Sequence, residues 1–155
     1  MSELWKILQE NMGISWRGFL VVMLAMLPNI FYGIMSKTNV PENPVEPNEM
    51  VSMIENASRG LFIIFLIVIW NKDKLDNRPI YFIGMAVCLL VYYALWARYF
   101  VHGRDVEYLE KNLWIIPVPM AIFPCLYFAF GAFWLHNIPD LVVLAVFSVC
   151  HCILR

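Results

Sequence analysis

The chain has 155 residues, of which 61% are hydrophobic and 15% charged, where a soluble domain of this size averages about 25% charged. Its net charge of −1 leaves no basic field for nucleic acid. Composition therefore points to an all-α integral membrane protein, with residues 1–155 forming a single membrane domain.

Charge is absent from 18–36, 60–71, 79–97, 112–139 and 141–154. A spanning helix needs about 20 mostly apolar residues. We read a compact bundle of five transmembrane helices near 18–36, 50–71, 79–101, 113–135 and 138–154. The alternative is four spans, with the last segment lying in the membrane interface.

Ahead of the first span, residues 1–17 carry the stretch "SELWKILQENMGISW". Leu4, Trp5, Leu8 and Met12 fall on one helical face, and Glu3, Lys6, Gln9 and Glu10 on the other. That pattern predicts an amphipathic helix lying in the interface. Within the first span, Gly18, Ala25, Asn29, Tyr32 and Ser36 share a face. Small residues there admit a close neighbour, Asn29 can hydrogen-bond across helices, and the same face would suit a homo-oligomer. Pro28 frees a carbonyl one turn back. The segment 37–49, with Pro41, Pro44 and Pro47, reads as an extended loop.

The second span begins "MIENASRG". Ser52, Glu55, Arg59 and Phe62 line one face, and Glu55 and Arg59 form an i,i+4 pair in the favourable order. A charge at the centre of a spanning helix costs about 2.5–3.5 kcal/mol on insertion scales, so such a pair is expected to face the bundle interior. In the third span Tyr81, Cys88, Tyr92 and Tyr99 form a stripe, with Trp96 beside it and Arg98 and His102 at its end. A tyrosine stripe gives an aromatic wall with hydroxyl donors. The fourth span spaces Pro117, Pro124 and Gly131 by seven, with Tyr127 near that face, and freed carbonyls must find partners there. After the tight turn 136–140 the fifth span carries Ser148 and His151.

Cys88, Cys125, Cys150 and Cys152 lie in predicted spans without a Cys-x-x-Cys motif, and the i,i+2 pair Cys150 and Cys152 points to different faces. They read as small packing residues. His102, His136 and His151 are scattered, so neither a metal site nor a cofactor is expected. The residues identify no family. The aromatic–proline signatures of the tryptophan-rich sensory proteins are absent. So are the lone first-span Glu of the small four-helix multidrug exporters and the Cys-x-x-Cys of the quinone-reductase type of bundle.

Alternating spans gather Tyr32, Ser36, Glu55, Arg59, Arg98, Tyr99, His102 and His151 at one end, with Asn29, Tyr92 and Ser148 deeper. The opposite half is expected to be nearly all aliphatic and aromatic. Lysine and arginine counts do not decide orientation, but the basic loop 71–79 and the acidic loop 37–49 favour a cytoplasmic N-terminus in a cell membrane. The expected ligand-binding residues are Asn29, Tyr32, Glu55, Arg59, Tyr92, Arg98, Tyr99, Tyr127 and His151. Besides the lipid bilayer, the expected partner is a lipid-like or small-molecule ligand.

Three function classes fit. The first is a bundle that binds or transports a small amphipathic or anionic ligand, with Arg59 and Arg98 drawing the head group and the tyrosines holding an apolar body. The second is a structural, interaction or immunity-type subunit. The third is an enzyme on a lipid or isoprenoid-like substrate, with Glu55 or His151 as base and Arg59 and Arg98 clamping a phosphate. No nucleophile, metal cluster or acid pair is legible, which ranks the enzyme last. A carboxylate beside a histidine would raise it.

Overall fold

The structure is a computed structural model, and it describes residues 2–11, 13–43, 46–68 and 77–154. It is helical, with no strand among the described residues. The helices are α1 (Ser2–Asn11), α2 (Trp16–Ile34), α3 (Glu49–Val68), α4 (Pro79–Val101), α5 (Glu107–Glu110), α6 (Pro119–Trp134) and α7 (Ile138–Leu154). Three of them, α2, α3 and α4, are long and apolar enough to cross a membrane, and α6 and α7 are shorter apolar helices.

The expected fourth span begins later than its hydrophobic run. Residues 113–118 are not helical: Leu113 and Ile116 exchange backbone hydrogen bonds of 3.1 and 2.9 Å, and Trp114 and Val118 adopt φ of 54° and 48°. The cause is the pair Pro117 and Pro119, since each disfavours helical geometry in the residue before it. Pro119 itself suits the first position of α6, where its missing N–H is no loss. Trp114 and Ile115 are left fully exposed.

α1 ends at Asn11, and the connection to α2 lies along the C-terminus of α3. Gly13 N donates to Val68 O at 2.9 Å and Ser15 N to Ile67 O at 2.7 Å, meeting carbonyls that a helix end leaves unpaired. The Ser15 hydroxyl caps α2 by accepting from Gly18 N at 3.1 Å. A Cβ at Gly18 would lie 1.8 Å from Leu66 O, so only glycine lets the two backbones approach this closely. In α1, Trp5 is exposed, whereas Met12 and the side chains of Leu4 and Leu8 lie outside the described residues.

α4 packs on α6, α3 on α7 and α6 on α7, while α2 lies against α3 and α6. The main core interleaves Val21, Val22 and Ala25 of α2, Phe62 and Leu66 of α3, Phe128 and Ala132 of α6, and Leu144 and Phe147 of α7. Tyr92, Trp96 and Tyr99 of α4 form a separate cluster with Tyr32 and Phe100. Around the outside Leu20, Leu24, Leu27, Ile64, Ile83, Leu90, Val142 and Val149 are exposed, an apolar perimeter.

One expectation is corrected. The half of the bundle opposite the polar end buries Ser15, Asn137 and Asp140. Helix termini explain the first two. Asn137 Nδ2 donates to Phe65 O at 2.9 Å near the end of α3, and its Oδ1 accepts from Asp140 N at 3.2 Å at the start of α7.

Candidate functional site

At the end of the bundle where α2, α4 and α7 finish and α3 and α6 begin, the structure places two polar clusters. The first lies in the α3–α7 seam. Glu55 is buried a turn and a half into α3, and its Oε1 accepts from Arg59 Nη2 and from His151 Nδ1, each at 2.6 Å. A carboxylate sharing one oxygen between two such donors makes strong, charge-assisted bonds. The His151 side chain is 14% exposed and that of Arg59 38%, so the guanidinium reaches outward while the imidazole stays covered. Phe147 forms the floor. Its ring stacks on His151 at 5.0 Å and 19°, and the Arg59 guanidinium lies 5.6 Å from its centre. Ser58 turns its hydroxyl onto Ile54 O at 2.7 Å, inside its own helix.

The second cluster lies between α2 and α4. Asn29 Nδ2 donates to the Tyr92 hydroxyl at 2.8 Å and to Ala25 O at 3.1 Å, the cross-helix bond its place in α2 suggests. Tyr32, Trp96 and Tyr99 close a triangle of rings, with centroids 5.5 to 5.7 Å apart. The Lys37 ammonium sits 4.0 Å over the Tyr32 ring. Arg104 donates to Ser36 Oγ at 3.2 Å and lies within electrostatic reach of Tyr99. In the same cluster the Trp96 indole N–H and the Tyr99 hydroxyl are both buried without a hydrogen-bond partner, as is Nε of the neighbouring Arg98.

The loops brace this second cluster. Thr38 and the segment after α4 exchange backbone bonds (Thr38 N to Arg104 O, 3.0 Å; Val106 N to Thr38 O, 3.2 Å), and Asn39 Nδ2 donates to Asp105 Oδ2 at 2.8 Å. Arg98 Nη2 donates to Tyr108 O at 2.7 Å and Lys111 O at 3.0 Å, so it pins the segment around α5 to α4.

The nine expected residues are thus distributed. Glu55, Arg59 and His151 meet in one cluster, and Asn29, Tyr32, Tyr92 and Tyr99 in the other, with Arg98 bracing the latter. Tyr127 belongs to the main core, where its hydroxyl donates to Val21 O at 2.8 Å. Trp96, Lys37 and Arg104 join the second cluster without having been among the nine. The sequence signal for Trp96 was its position, four residues after Tyr92 and three before Tyr99. Lys37 and Arg104 read only as loop charges.

Two cavities lie elsewhere. A groove of about 330 Å³ between α6 and α7 is bordered by Cys125, Leu144, Ser148 and Cys152. An open hollow of about 840 Å³ follows the first turns of α3 past Glu49, Ser52 and Asn56. None of the nine residues lines either one. Cys150 is buried and Cys152 exposed, as i,i+2 spacing on a helix implies, and all four thiols are free. Among the described residues no three His, Cys, Asp or Glu side chains gather as a metal donor set.

Chemically the clusters differ. The α3–α7 cluster matches its acceptor to its donors. The α2–α4 cluster has donors in excess and carries two cations, Lys37 and Arg104, at its edge, an arrangement that suits a ligand made of acceptors. The chain matches no protein-family model, no curated protein and no solved structure.

Proposed function

We propose that this is a multi-pass membrane protein whose five apolar helices cross the bilayer, with its N-terminus cytoplasmic, and that it binds or transports a small amphipathic ligand with an anionic head group. The three long apolar helices, the two shorter ones and the exposed aliphatic perimeter support the membrane reading. The observation that carries the ligand reading is the pair of buried donors with nothing to donate to, Trp96 Nε1–H and Tyr99 O–H. Leaving a buried donor unmet costs about 1–3 kcal/mol, a cost that a bound acceptor would remove. A carboxylate or phosphate head would accept from both, with Lys37 and Arg104 at the edge of the cluster. The rings of Tyr32 and Phe100 would cover the apolar part.

Binding of fluorescent anionic and zwitterionic amphiphiles to the protein in nanodiscs tests this. Tyr99→Phe and Trp96→Phe should each weaken anionic binding about tenfold or more, the loss of one charge-assisted bond of about 1.5–3 kcal/mol. Unchanged affinity in the folded double variant would reject the site.

A second reading draws on one observation, the 2.6 Å contact between Glu55 and His151. A carboxylate that orients an imidazole, with a guanidinium alongside, is a general acid–base arrangement. In an enzyme acting on a lipid or isoprenoid-like substrate, His151 would move the proton and Arg59 hold the phosphate. Its test is turnover: purified protein should consume such a substrate, and His151→Asn should abolish product while leaving anionic binding at Tyr99 intact.

A further inference from the structure

Asp140 stands apart from both clusters. It occupies the first turn of α7, at the opposite end of the bundle, and is completely buried. Both of its carboxylate oxygens lack a hydrogen-bond partner. Its backbone N–H is anchored to Asn137 Oδ1 at 3.2 Å, and Asn137 is itself buried and fixed to Phe65 O at 2.9 Å, so the turn that carries the carboxyl is held in place.

The charges that could compensate Asp140 are missing from the helices packed around it. α7 packs against α3 and α6. In α3, residues 60–68 contain no titratable side chain, and the ion cluster of Glu55 and Arg59 lies toward the other end. α6 has no charged residue, and its titratable groups are Cys125 beside the α6–α7 groove and Tyr127, whose hydroxyl is committed to Val21 O. At this end of α2, the guanidinium of Arg17 lies 4.7 Å from the Trp16 ring. His136 is exposed in the turn before α7, and His151 is bound to Glu55 at the far end of the helix.

A carboxylate in such a place has lost its water and, among the described residues, gained neither a cation nor a hydrogen-bond donor. Groups in that position neutralise instead of remaining charged. Tight burial leaves the smallest cation as the one that fits. We propose that Asp140 is a proton-binding site: its carboxyl takes up a proton on folding and holds it in the bundle at neutral pH. The proton attaches to one carboxylate oxygen, giving the neutral acid, and leaves to water only when that end of the α3–α7 seam opens. Such a group is what proton-linked movement of an anionic ligand requires, and it stands whether or not the Tyr99 site binds one.

The chain has four aspartates, Asp73, Asp76, Asp105 and Asp140, which makes the test direct. The full-length protein, labelled with ¹³C at the aspartate side-chain carboxyl and held in lipid bilayers at pH 7, is examined by solid-state NMR or isotope-edited infrared spectroscopy. One of the four carboxyls should give the acid signal, and that signal should vanish in Asp140→Asn. Should that variant fail to fold, retention of the acid signal in Asp73→Asn, Asp76→Asn and Asp105→Asn assigns it to Asp140. Four ionised carboxyls in the parent protein would overturn the proposal. So would an acid signal that survives in folded Asp140→Asn or disappears with one of the other three.

Discussion

The α3–α7 seam and the α2–α4 seam sit at the same end of the bundle, yet they handle polarity in opposite ways. In the first, Glu55 accepts from Arg59 and His151, and one acceptor meets two donors in a closed set. In the second, Asn29 donates to the Tyr92 hydroxyl, but Trp96 and Tyr99 are left holding protons with no acceptor. A closed set can hold two helices together and needs nothing further. An open set is unfinished until something else arrives. Buried polar residues alone would not separate these roles; the balance of donors and acceptors does.

The largest expected effect breaks the closed set. Glu55→Leu removes the acceptor from both partners, and breaking a buried ion pair typically costs about 3–5 kcal/mol. Arg59, over a third exposed, can turn to solvent, whereas His151 cannot. Adding His151→Leu should therefore recover most of the loss, because it removes the stranded imidazole. Thermal unfolding in detergent measures both variants, and additive losses would mean that the seam is not one unit.

A smaller effect, of opposite sign, probes the open set. Tyr99→Phe deletes a buried hydroxyl that has no partner, so the ligand-free protein should gain about 1–2 kcal/mol in stability. A loss instead would mean that the hydroxyl is satisfied and the comparison fails. The smallest effect calibrates the other two. Tyr127→Phe makes the same chemical change where the hydroxyl donates to Val21 O, and should lose about 0.5–1.5 kcal/mol without altering ligand affinity.

Much of this frame was legible in the sequence, for identifiable reasons. α2, α4 and α7 largely follow uncharged runs, because apolar length is a local property that a window detects, whereas α3 starts eleven residues ahead of its run, at the charged stretch carrying Glu55 and Arg59. The start of α6 was misplaced because Trp114 and Ile115 extend the hydrophobic run, while Pro117 and Pro119 decide the backbone. The pairing of Glu55 with Arg59 could be read from i,i+4 spacing. The arrival of His151, 96 residues away, could not, since helix pairing depends on which neighbour each helix selects. Asp140 escaped notice because an aspartate in a first helical turn reads as an ordinary solvated start to a helix. Only its burial distinguishes it. Arg98 looked like a head-group clamp, yet loop carbonyls occupy its Nη2, and its Nε is buried without a partner.

The sequence separation in the α3–α7 seam also bears on how the protein is made. A chain synthesised from its N-terminus releases Glu55 and Arg59 long before His151 exists. Until the last helix emerges, the carboxylate has its neighbour four residues on and a vacant face where Phe147 and His151 will later pack. α7 thus completes the polar site begun on α3, the third helix to be made. A ribosome stalled before residue 151 would leave behind a nascent chain whose Glu55 lacks one of its two donors, the kind of unfinished polar site that quality-control proteases can detect.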